Sequence, residues 1–418
     1  REGRAMLMVS HALGGGTATH LRDLMRRLQK DGWRVYLLER HNRDHLRLID
    51  PGAAEPKPLF FRWPDDIPAL TRTLRLLGIK HLHLHHTVDM PEDFLPRFQA
   101  LASDTGLAYD FTAHDYFSIC PRFTLYDDAV KSYCGEPEDA RKCIACVSRF
   151  GSPAGKDVDV PEWRKNYAGL LAGARKVFVP DADVAIRLKR YFPEVTLTAQ
   201  AHPETPAFVD YSAQALPGSS NPSKCEARSG GGSEATCPPK LEERRRMGAR
   251  PPRKIVTIGG IAPHKGSHVL EACARDALTR NLPLEFHIIG FTDIDHRLSR
   301  LSNVKISGRF DPGELPVRLK TGGYHLAFLP AVWPETFNYT LTECWQHGLY
   351  TVGLDIGAIA SRIKAAPNLG KILPLEWYLK PEKLNGALLA LDIPRLEEAE
   401  VRAQAKEYPN FTQDYYGL

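Results

Sequence analysis

The chain has 418 residues, 43% of them hydrophobic and 25% charged, which is the composition of an ordinary globular protein. Because single hydrophobic cores rarely grow beyond about 250–300 residues, this length predicts two or three domains. The formal net charge of +5 is too small and too dispersed for a nucleic-acid-binding protein, and no apolar run reaches the roughly 18 residues of a membrane-spanning helix.

In the first part of the chain, short apolar strands alternate with helices, as in a doubly wound parallel sheet. A strand over Ala5–Ser10 leads into the turn Gly14-Gly15-Gly16 and a helix capped by Thr17. Glycines at a helix N-terminus let the backbone approach a phosphate closely. GGGTATH nevertheless departs from the dinucleotide-binding pattern G-x-G-x-x-G, and a turn without a ligand is the alternative. The other elements predicted here are strands at 35–38, 80–86, 108–113, 176–180 and 196–201, and helices at 161–174 and 181–191.

Histidines recur along the predicted strand at 80–86, which reads KHLHLHH. At strand spacing, His81, His83 and His85 share one face, and His86 points to the other. Because no acidic partner is evident in the sequence nearby, we favour structural histidines over a metal site at this strand.

One further histidine, His114, follows the strand predicted at 108–113 and forms the pair His114-Asp115. The C-terminal end of a parallel strand is where open α/β sheets bind ligands, so His114 is a candidate binding residue. Arg122 lies a short way along the chain and could bind a phosphate or carboxylate of an acceptor. An ordinary surface arginine is the alternative.

The segment 117–150 carries four of the eight cysteines, Cys120, Cys134, Cys143 and Cys146, in the pattern C-x13-C-x8-C-x2-C. The uneven placement of the cysteines does not predict an extracellular disulfide framework. C-x2-C is the spacing that lets two thiolates reach one metal, and four-cysteine sites usually hold tetrahedral zinc. Structural zinc is the first hypothesis, free thiols and disulfides stay open, and a catalytic thiol is disfavoured.

Composition changes over 206–252, which is rich in serine, glycine and proline and includes Cys225 and Cys237. We predict a flexible interdomain insertion here, in which a disulfide between the two cysteines would be adventitious. The insertion separates a first domain over 1–205 from a second over 253–395.

The second domain repeats the alternation of strands and helices. Its first strand, Lys254–Ile258, is followed by a glycine-containing turn that ends in Lys265-Gly266, just before a helix. Lys265 is therefore placed to meet a phosphate as a point charge, and a solvated lysine is the alternative. The remaining predictions are strands at 284–289 and 304–307, a loop at 354–359, and helices at 397–408 and 411–416.

The most informative stretch of the second domain is HLAFLPAVWPETFNYTLTECWQHG. A buried strand over Leu326–Leu329 is broken by prolines, and a helix capped within 336–338 is expected to end at Gly348. Glu335 then lies in the strand-to-helix loop, and Glu343 lies inside the helix. Carboxylates suit sugar or ribose hydroxyls and the free N–H groups of a helix N-terminus suit phosphate, so a nucleotide sugar would use both.

Glu335 and Glu343, in the spacing E-x7-E and followed by Gly348 and a strand at 350–354, resemble the paired-glutamate motif of family 4 retaining glycosyltransferases of the GT-B fold. The resemblance implies two doubly wound Rossmann-like domains facing across a cleft. The first would hold the acceptor and the second the nucleotide-sugar donor, with a helix at 396–418 returning to the first domain.

The resemblance also implies the reaction and its main residues. A sugar would pass with retention from a nucleotide diphosphate to a hydroxyl, without a metal cofactor for catalysis. Lys265 would bind the donor diphosphate, Glu335 the sugar hydroxyls, and Glu343 the ribose. His114 would hydrogen-bond the sugar from the opposite wall. No residue is assigned as a protein nucleophile.

The remaining residues implied for donor binding lie around these groups. Gly15 and Gly16 would face the diphosphate. Thr336, Phe337 and Asn338 would form the helix N-terminus, and Gly357 would line the sugar. The family commonly carries an arginine where this chain has Gly260; His264 or Arg309 could supply the missing positive charge.

Two other classes of function stay open on the sequence. The chain could be a noncatalytic nucleotide-sugar-binding or scaffold domain of a larger polysaccharide-assembly protein, or it could use the same fold for phosphorolysis or epimerisation. The start at REGRAM, which enters a strand at once, indicates a piece of a longer multidomain chain. We expect a cytoplasmic protein of surface-polysaccharide assembly with a glycan or lipid-linked acceptor, and peripheral contact with the inner membrane stays open.

Overall fold

A computed structural model describes residues 4–12, 14–205, 207 and 251–418. The cysteines of the predicted insertion, Cys225 and Cys237, lie outside the described residues. Within these ranges the chain forms two large sheets, each covered by helices, which confirms the predicted fold class.

The first sheet has eight strands in the order β10-β9-β6-β5-β1-β2-β3-β4, and all neighbours are parallel except β2–β3 and β3–β4. The chain leaves β1 towards β2 on one side and returns to β5 on the other, so the topological switch point lies between β1 and β5. The strands are β1 (Arg4–Val9), β2 (Trp33–Arg40), β3 (His45–Ile49), β4 (Leu59–Arg62), β5 (Ile79–Leu84), β6 (Tyr109–Thr112), the separate hairpin β7 (Tyr126–Asp127) and β8 (Ser132–Tyr133), and then β9 (Lys176–Val179) and β10 (Leu197–Ala199).

The helices of this domain are α1 (Gly16–Lys30), α2 (Ile67–Leu76), α3 (Phe94–Thr105), α4 (Ala140–Phe150), α5 (Val160–Gly173) and α6 (Ala182–Tyr191). Helix α1 buries one face through Leu21, Leu24 and Leu28. Its N-cap is Gly15 rather than the predicted Thr17, because the turn enters the helix two residues earlier.

The second sheet is entirely parallel, in the order β13-β12-β11-β14-β15-β16, and its switch point lies between β11 and β14. Its strands are β11 (Arg253–Ile261), β12 (Leu284–Thr292), β13 (Val304–Ile306), β14 (Leu326–Leu329), β15 (Thr351–Leu354) and β16 (Gly370–Leu373). Every residue of β14 and β15 is buried, as expected for central strands covered on both faces.

The helices that follow are α7 (Ser267–Thr279), α8 (Asp295–Leu298), α9 (Leu315–Gly322), α10 (Tyr339–Gln346), α11 (Gly357–Ala365), α12 (Pro381–Ala390) and α13 (Glu398–Gln404), with single 3₁₀ turns at Pro263–Lys265, Pro312–Glu314 and Leu375–Leu379. Across the described ranges, none of the helices combines the length and apolar character needed to cross a bilayer.

The segment 408–418 packs on the first domain. Tyr415 and Tyr416 are fully buried, and the Tyr416 hydroxyl lies 2.8 Å from Nδ1 of His83 on β5. The backbone N–H and the hydroxyl of Thr412 both donate to the Asp31 carboxylate at 2.8 Å. These residues complete an apolar cluster that also contains Met6, Met8, Leu21, Leu24, Leu28, Trp33, Val35, Phe178, Tyr408 and Phe411.

Candidate functional site

The loop between β14 and α10 places Glu335 at the switch point of the second sheet. Its carboxylate is 8% exposed, accepts a hydrogen bond from the Trp333 indole at 3.1 Å, and lies 3.4 Å from the Lys265 ammonium. Lys265 itself ends the turn after β11. Two residues predicted to bind the donor are therefore in contact, one from each of the strands that flank the switch point.

Helix α10 begins beside this pair. Asn338 adopts a left-handed conformation, with φ 68°, and its side-chain oxygen accepts a hydrogen bond from the Leu341 N–H at 2.8 Å. Asparagine tolerates this conformation and is a good N-cap, so the local sequence explains where the helix starts. Lys265, Glu335 and Asn338 line one cavity of about 20 Å³, where an ammonium, a carboxylate and the positive end of a helix dipole meet.

The close approach of the two loops requires a glycine after Lys265. Gly266 has φ +85°, and a Cβ built on it would lie 2.0 Å from the carbonyl oxygen of Pro330. No other residue type fits this contact without moving the backbone.

Gly357, expected in a loop that lines the sugar, is instead the first residue of α11. It has φ +63°, and a Cβ would lie 2.6 Å from the Pro334 carbonyl carbon and 2.7 Å from the Glu335 nitrogen. The next residue, Ala358, donates its N–H to the Glu335 carbonyl at 2.8 Å. Gly357 therefore fixes the backbone that carries the Glu335 carboxylate.

We expect Gly357→Ala to destabilise the protein by more than about 1 kcal/mol, because the added methyl would collide with backbone atoms and the residue would keep a positive φ. Thermal unfolding measures the effect. The matched control is Gly386→Ala inside α12, where a Cβ meets nothing within 4 Å. Helix propensity predicts that this control raises stability by about 0.5–1 kcal/mol. Equal melting temperatures for the two variants would contradict the assignment.

Glu343 lies in α10 and is partly buried. Burial, followed by the charge of Glu204, raises the pKa of Glu343 from its ordinary value of 4.5 to about 7. A carboxyl group with this pKa exchanges its proton near neutral pH and binds hydroxyl groups best when it is ionised.

The raised pKa predicts how stability depends on pH. Between pH 4.5 and about 7 the folded protein holds the Glu343 proton more tightly than the unfolded chain, so the free energy of unfolding falls as pH rises through this window. We expect Glu343→Gln to remove this fall and to melt higher than wild type above pH 7, in thermal unfolding at pH 4–8. The exposed Glu382→Gln is the control, and a Glu343→Gln profile that follows wild type would refute the prediction.

The first domain forms the opposite wall. The Thr336 hydroxyl donates to the backbone carbonyl of His114 at 2.6 Å. A Cβ on Gly16 would lie 3.7 Å from the Tyr339 ring, and Nδ1 of His20 lies 3.2 Å from the Tyr339 hydroxyl. The turn after β1, with Gly16, and the end of β6, followed by His114, thus face the start of α10.

A second contact between the domains was not found from the sequence. Glu204 follows β10, and its carboxylate accepts a hydrogen bond from the Thr342 hydroxyl at 2.5 Å and lies 3.4 Å from the Arg362 guanidinium. Arg362 also donates to the backbone carbonyls of Phe337 and Asn338, at 3.2 Å each. Glu204 and Arg362 are 158 residues apart and belong to no local motif, so no pattern in the sequence pairs them.

The expectation that the histidines after residue 80 have no acidic partner is wrong. His81 Nε2 lies 2.9 Å from the Asp110 carboxylate on β6, and His86 Nε2 lies 2.8 Å from that of Asp115. Both partners are 29 residues away and become neighbours when β5 pairs with β6. His83 is held differently, between the Tyr416 and Thr112 hydroxyls at 2.8 Å each.

Gly260 lies near the exposed end of β11. A Cβ here would meet the Phe291 ring at 3.1 Å, and the Arg309 guanidinium lies 4.4 Å from the centroid of the same ring. His264 is a poor source of positive charge, because burial and the neighbouring Lys265 lower its pKa to about 4. Arg309 is therefore the better of the two candidates for the missing charge.

Arg122 is not a free surface arginine. Its guanidinium pairs with the Asp128 carboxylate, donates to the Tyr126 carbonyl at 3.2 Å, and lies 5.1 Å from the Phe150 ring centroid. It also donates to the Cys146 sulfur at 3.2 Å. These contacts make Arg122 part of the wall of the cysteine-rich segment.

The four cysteines, Cys120, Cys134, Cys143 and Cys146, line one cavity of about 290 Å³ and are all free thiols. Burial raises the pKa of Cys120 to about 12 and that of Cys134 to about 11. Zinc–sulfur bonds of about 2.3 Å would bring the sulfurs within about 4 Å of one another. Among the described residues, the side chains close enough to share a metal ion do not include these four cysteines. Bound zinc would therefore have to draw the four sulfurs inward.

Neither protein-family models nor the sequences of curated proteins match this chain. Among solved structures, sucrose-phosphate synthase from Thermosynechococcus elongatus matches 96% of this chain and 94% of its own, at 13% identity and a TM-score of 0.55. The catalytic domain of starch synthase IV from Arabidopsis thaliana, bound to ADP and acarbose, matches 98% and 97%, at 12% identity and a TM-score of 0.54. Anabaena HepE in complex with UDP matches 99% and 95%, at 11% identity and a TM-score of 0.54. Likeness at such low identity establishes the fold alone, which is the predicted GT-B architecture.

Proposed function

We propose that this protein is a glycosyltransferase that moves a sugar from a nucleotide-diphosphate sugar to a hydroxyl of a glycan or lipid-linked acceptor. The observation that carries the proposal is the meeting of Glu335, Lys265 and the N-terminus of α10 at the switch point between β11 and β14. Fold neighbours were solved with ADP or UDP bound, which supports a nucleotide donor.

The positive groups of the site suit a departing diphosphate. The Lys265 ammonium and the free N–H groups at the start of α10 would stabilise the negative charge that develops on the leaving group, with no metal cofactor assigned to catalysis. Glu335 would bind the sugar hydroxyls, and Glu343 the ribose. Arg309 would supply the second positive charge beside Gly260.

Donor binding would rearrange the contact between Lys265 and Glu335. Ligand sites for small molecules usually measure about 300–1,000 Å³, whereas the cavity between these residues measures about 20 Å³. In the proposed cycle the ammonium leaves the Glu335 carboxylate for the diphosphate, which frees the carboxylate to accept hydrogen bonds from the sugar.

The first domain would hold the acceptor, with Gly15, Gly16 and His114 facing the donor. We propose retention at the anomeric carbon from the resemblance of the E-x7-E motif, and a cytoplasmic role in surface-polysaccharide assembly. Domain boundaries near 205 and 253, and a returning segment 396–418, belong to the same proposal.

The four-cysteine segment is proposed to hold structural zinc. Its sulfurs converge from the turn after β6, the β7–β8 hairpin and α4 on one cavity. We expect the zinc content of the purified protein, measured by elemental analysis, to fall by about one ion per chain in Cys143→Ser/Cys146→Ser. An unchanged zinc content in that variant would reject this site.

A thermal-shift screen of nucleoside diphosphates and their sugars tests the donor proposal. A ligand that binds the native state raises the melting temperature by mass action. If the nucleotides of one base raise the melting temperature, and the rise is smaller in Glu343→Ala but unchanged in Glu382→Ala, that base is the one in the donor. If no ligand of the panel raises the melting temperature, nucleotide binding is rejected.

A noncatalytic nucleotide-sugar-binding domain is the second candidate, favoured by Gly260 in the place of the usual arginine. Hydrolysis of the donor in the absence of an acceptor distinguishes the two. A wild-type protein that binds the donor and releases no sugar over long incubation would favour the binding domain.

A further inference from the structure

Three imidazoles from separate elements converge beside the cleft. His20 lies in α1, His85 follows β5, and His114 follows β6, and one ring nitrogen of each lies within 4.8 Å of the others. His85 Nδ1 and His114 Nε2 are 3.0 Å apart. A fourth imidazole, His202, packs against His20, with the ring centroids 3.7 Å apart and the ring planes tilted by 39°.

Several nitrogens of this cluster lack a partner. Nε2 of His20, Nε2 of His85 and Nδ1 of His202 are buried and accept or donate no hydrogen bond within the described ranges. The residues themselves are at most 2% exposed. An unsatisfied buried polar atom destabilises the folded state, so a fold that gathers three of them in one place is expected to use them.

The chemical character of the cluster is that of a transition-metal site. A neutral imidazole keeps one lone pair on a ring nitrogen, which is the donor that such an ion needs. Neutral imidazoles bind Zn²⁺, Cu²⁺, Ni²⁺ or Co²⁺, whereas Mg²⁺ and Ca²⁺ prefer oxygen ligands.

The surroundings also suit ligands that must be held in place. The Tyr339 hydroxyl lies 3.2 Å from His20 Nδ1 and would fix the orientation of that ring, as outer hydrogen bonds do for metal-bound histidines. Each of the three rings belongs to a different element of the first domain. A shared ion would therefore tie α1 to the ends of β5 and β6.

We propose that His20, His85 and His114 bind one divalent transition-metal ion, with His202 at its edge. The site is separate from the four cysteines. It shares His114 with the proposed donor site, and its test does not depend on the proposed transfer reaction. Its expected effect is to stabilise the wall of the cleft, since an ion that binds the folded state raises stability by mass action.

Cobalt absorption distinguishes this site from the cysteines. The full-length chain, stripped of metal with a chelator, is titrated with Co²⁺ in a Cys143→Ser/Cys146→Ser background. Imidazole-bound Co²⁺ gives visible d–d bands without the thiolate-to-cobalt charge-transfer band of a cysteine site. We expect one equivalent of such Co²⁺, displaced by Zn²⁺, and affinity at least about 10-fold weaker in His20→Gln and His85→Gln.

The exposed His296→Gln is the matched control and should bind Co²⁺ like its parent. The proposal is overturned if the parent takes up no stoichiometric Co²⁺, or if both cluster variants bind it unchanged. Should the cysteine background fail to fold, the wild-type titration decides: a cobalt equivalent without charge-transfer absorption supports the histidine site, and its absence rejects it.

Discussion

Replacing Lys265 by alanine is expected to lower the rate of sugar transfer by at least about 10²-fold, because removing one preorganised charge-stabilising group typically costs 10²–10³ in kcat. Glu335→Gln, which keeps the size of the side chain but removes its charge, should have an effect of the same order. Both residues meet at the end of the parallel strands where the diphosphate is proposed to leave. Initial rates at saturating donor measure the effect.

The matched controls are Lys320→Ala and Glu382→Ala, which change exposed residues of the same domain and should keep wild-type rates. Each variant must also show a cooperative melting transition, because Lys265 and Glu335 contact each other and loss of either partner could disturb the loop. Near-normal turnover in folded Lys265→Ala and Glu335→Gln would rule out the proposed site.

The largest effect on stability is expected for Arg175→Ala. The Arg175 guanidinium holds the fully buried Asp110 carboxylate through hydrogen bonds of 3.0 and 2.5 Å, and it also donates to the Tyr416 carbonyl at 2.9 Å. Removing one partner of a buried ion pair costs about 3–5 kcal/mol, and here it leaves the Asp110 carboxylate only its contact with His81. Urea unfolding measures the loss, and hydrogen exchange of peptides from β5 and β6 locates it.

Arg141→Ala is the control, since the Arg141 side chain is 88% exposed in its pair with Asp139. Exposed pairs contribute about 0–1 kcal/mol, so little change is expected. The double variant Arg175→Ala/Asp110→Asn should recover part of the lost free energy of unfolding, because it also removes the buried negative charge of Asp110. A loss below about 1 kcal/mol in Arg175→Ala, with no recovery in the double variant, would show that the pair is dispensable.

Local signals in the sequence predicted much of the second domain. The strand Leu326–Leu329 has the predicted bounds, and α10 starts after Asn338, within the predicted cap region. These features depend on residues close together in the chain: an apolar run, prolines that break it, and an N-cap side chain. The antiparallel strands β3 and β4 were missed, because they are short, at five and four residues: His45 and Arg47 interrupt the apolar residues of β3, and β4 has an apolar run of only three residues.

Contacts between distant elements could not be predicted in the same way. The contact between Glu204 and Arg362 forms because the two domains face each other, and the contact between His81 and Asp110 forms because two strands pair. No local pattern in the sequence encodes either event. Gly357 illustrates a third case. Its importance was predicted, but its contact with the Glu335 backbone depends on how α11 docks against the loop, which packing decides.

The packing of Tyr415 and Tyr416 on the first domain bears on how the protein is made. Arg175 and Tyr416 are 241 residues apart, and the whole second domain lies between them. Ribosomes deliver a chain at about 5–20 residues per second, and domains near the N-terminus usually fold first. In this protein the apolar face of the first domain that Tyr415 and Tyr416 cover would stay exposed to solvent while the second domain is synthesised. During that interval the nascent chain presents a surface that a chaperone could shield.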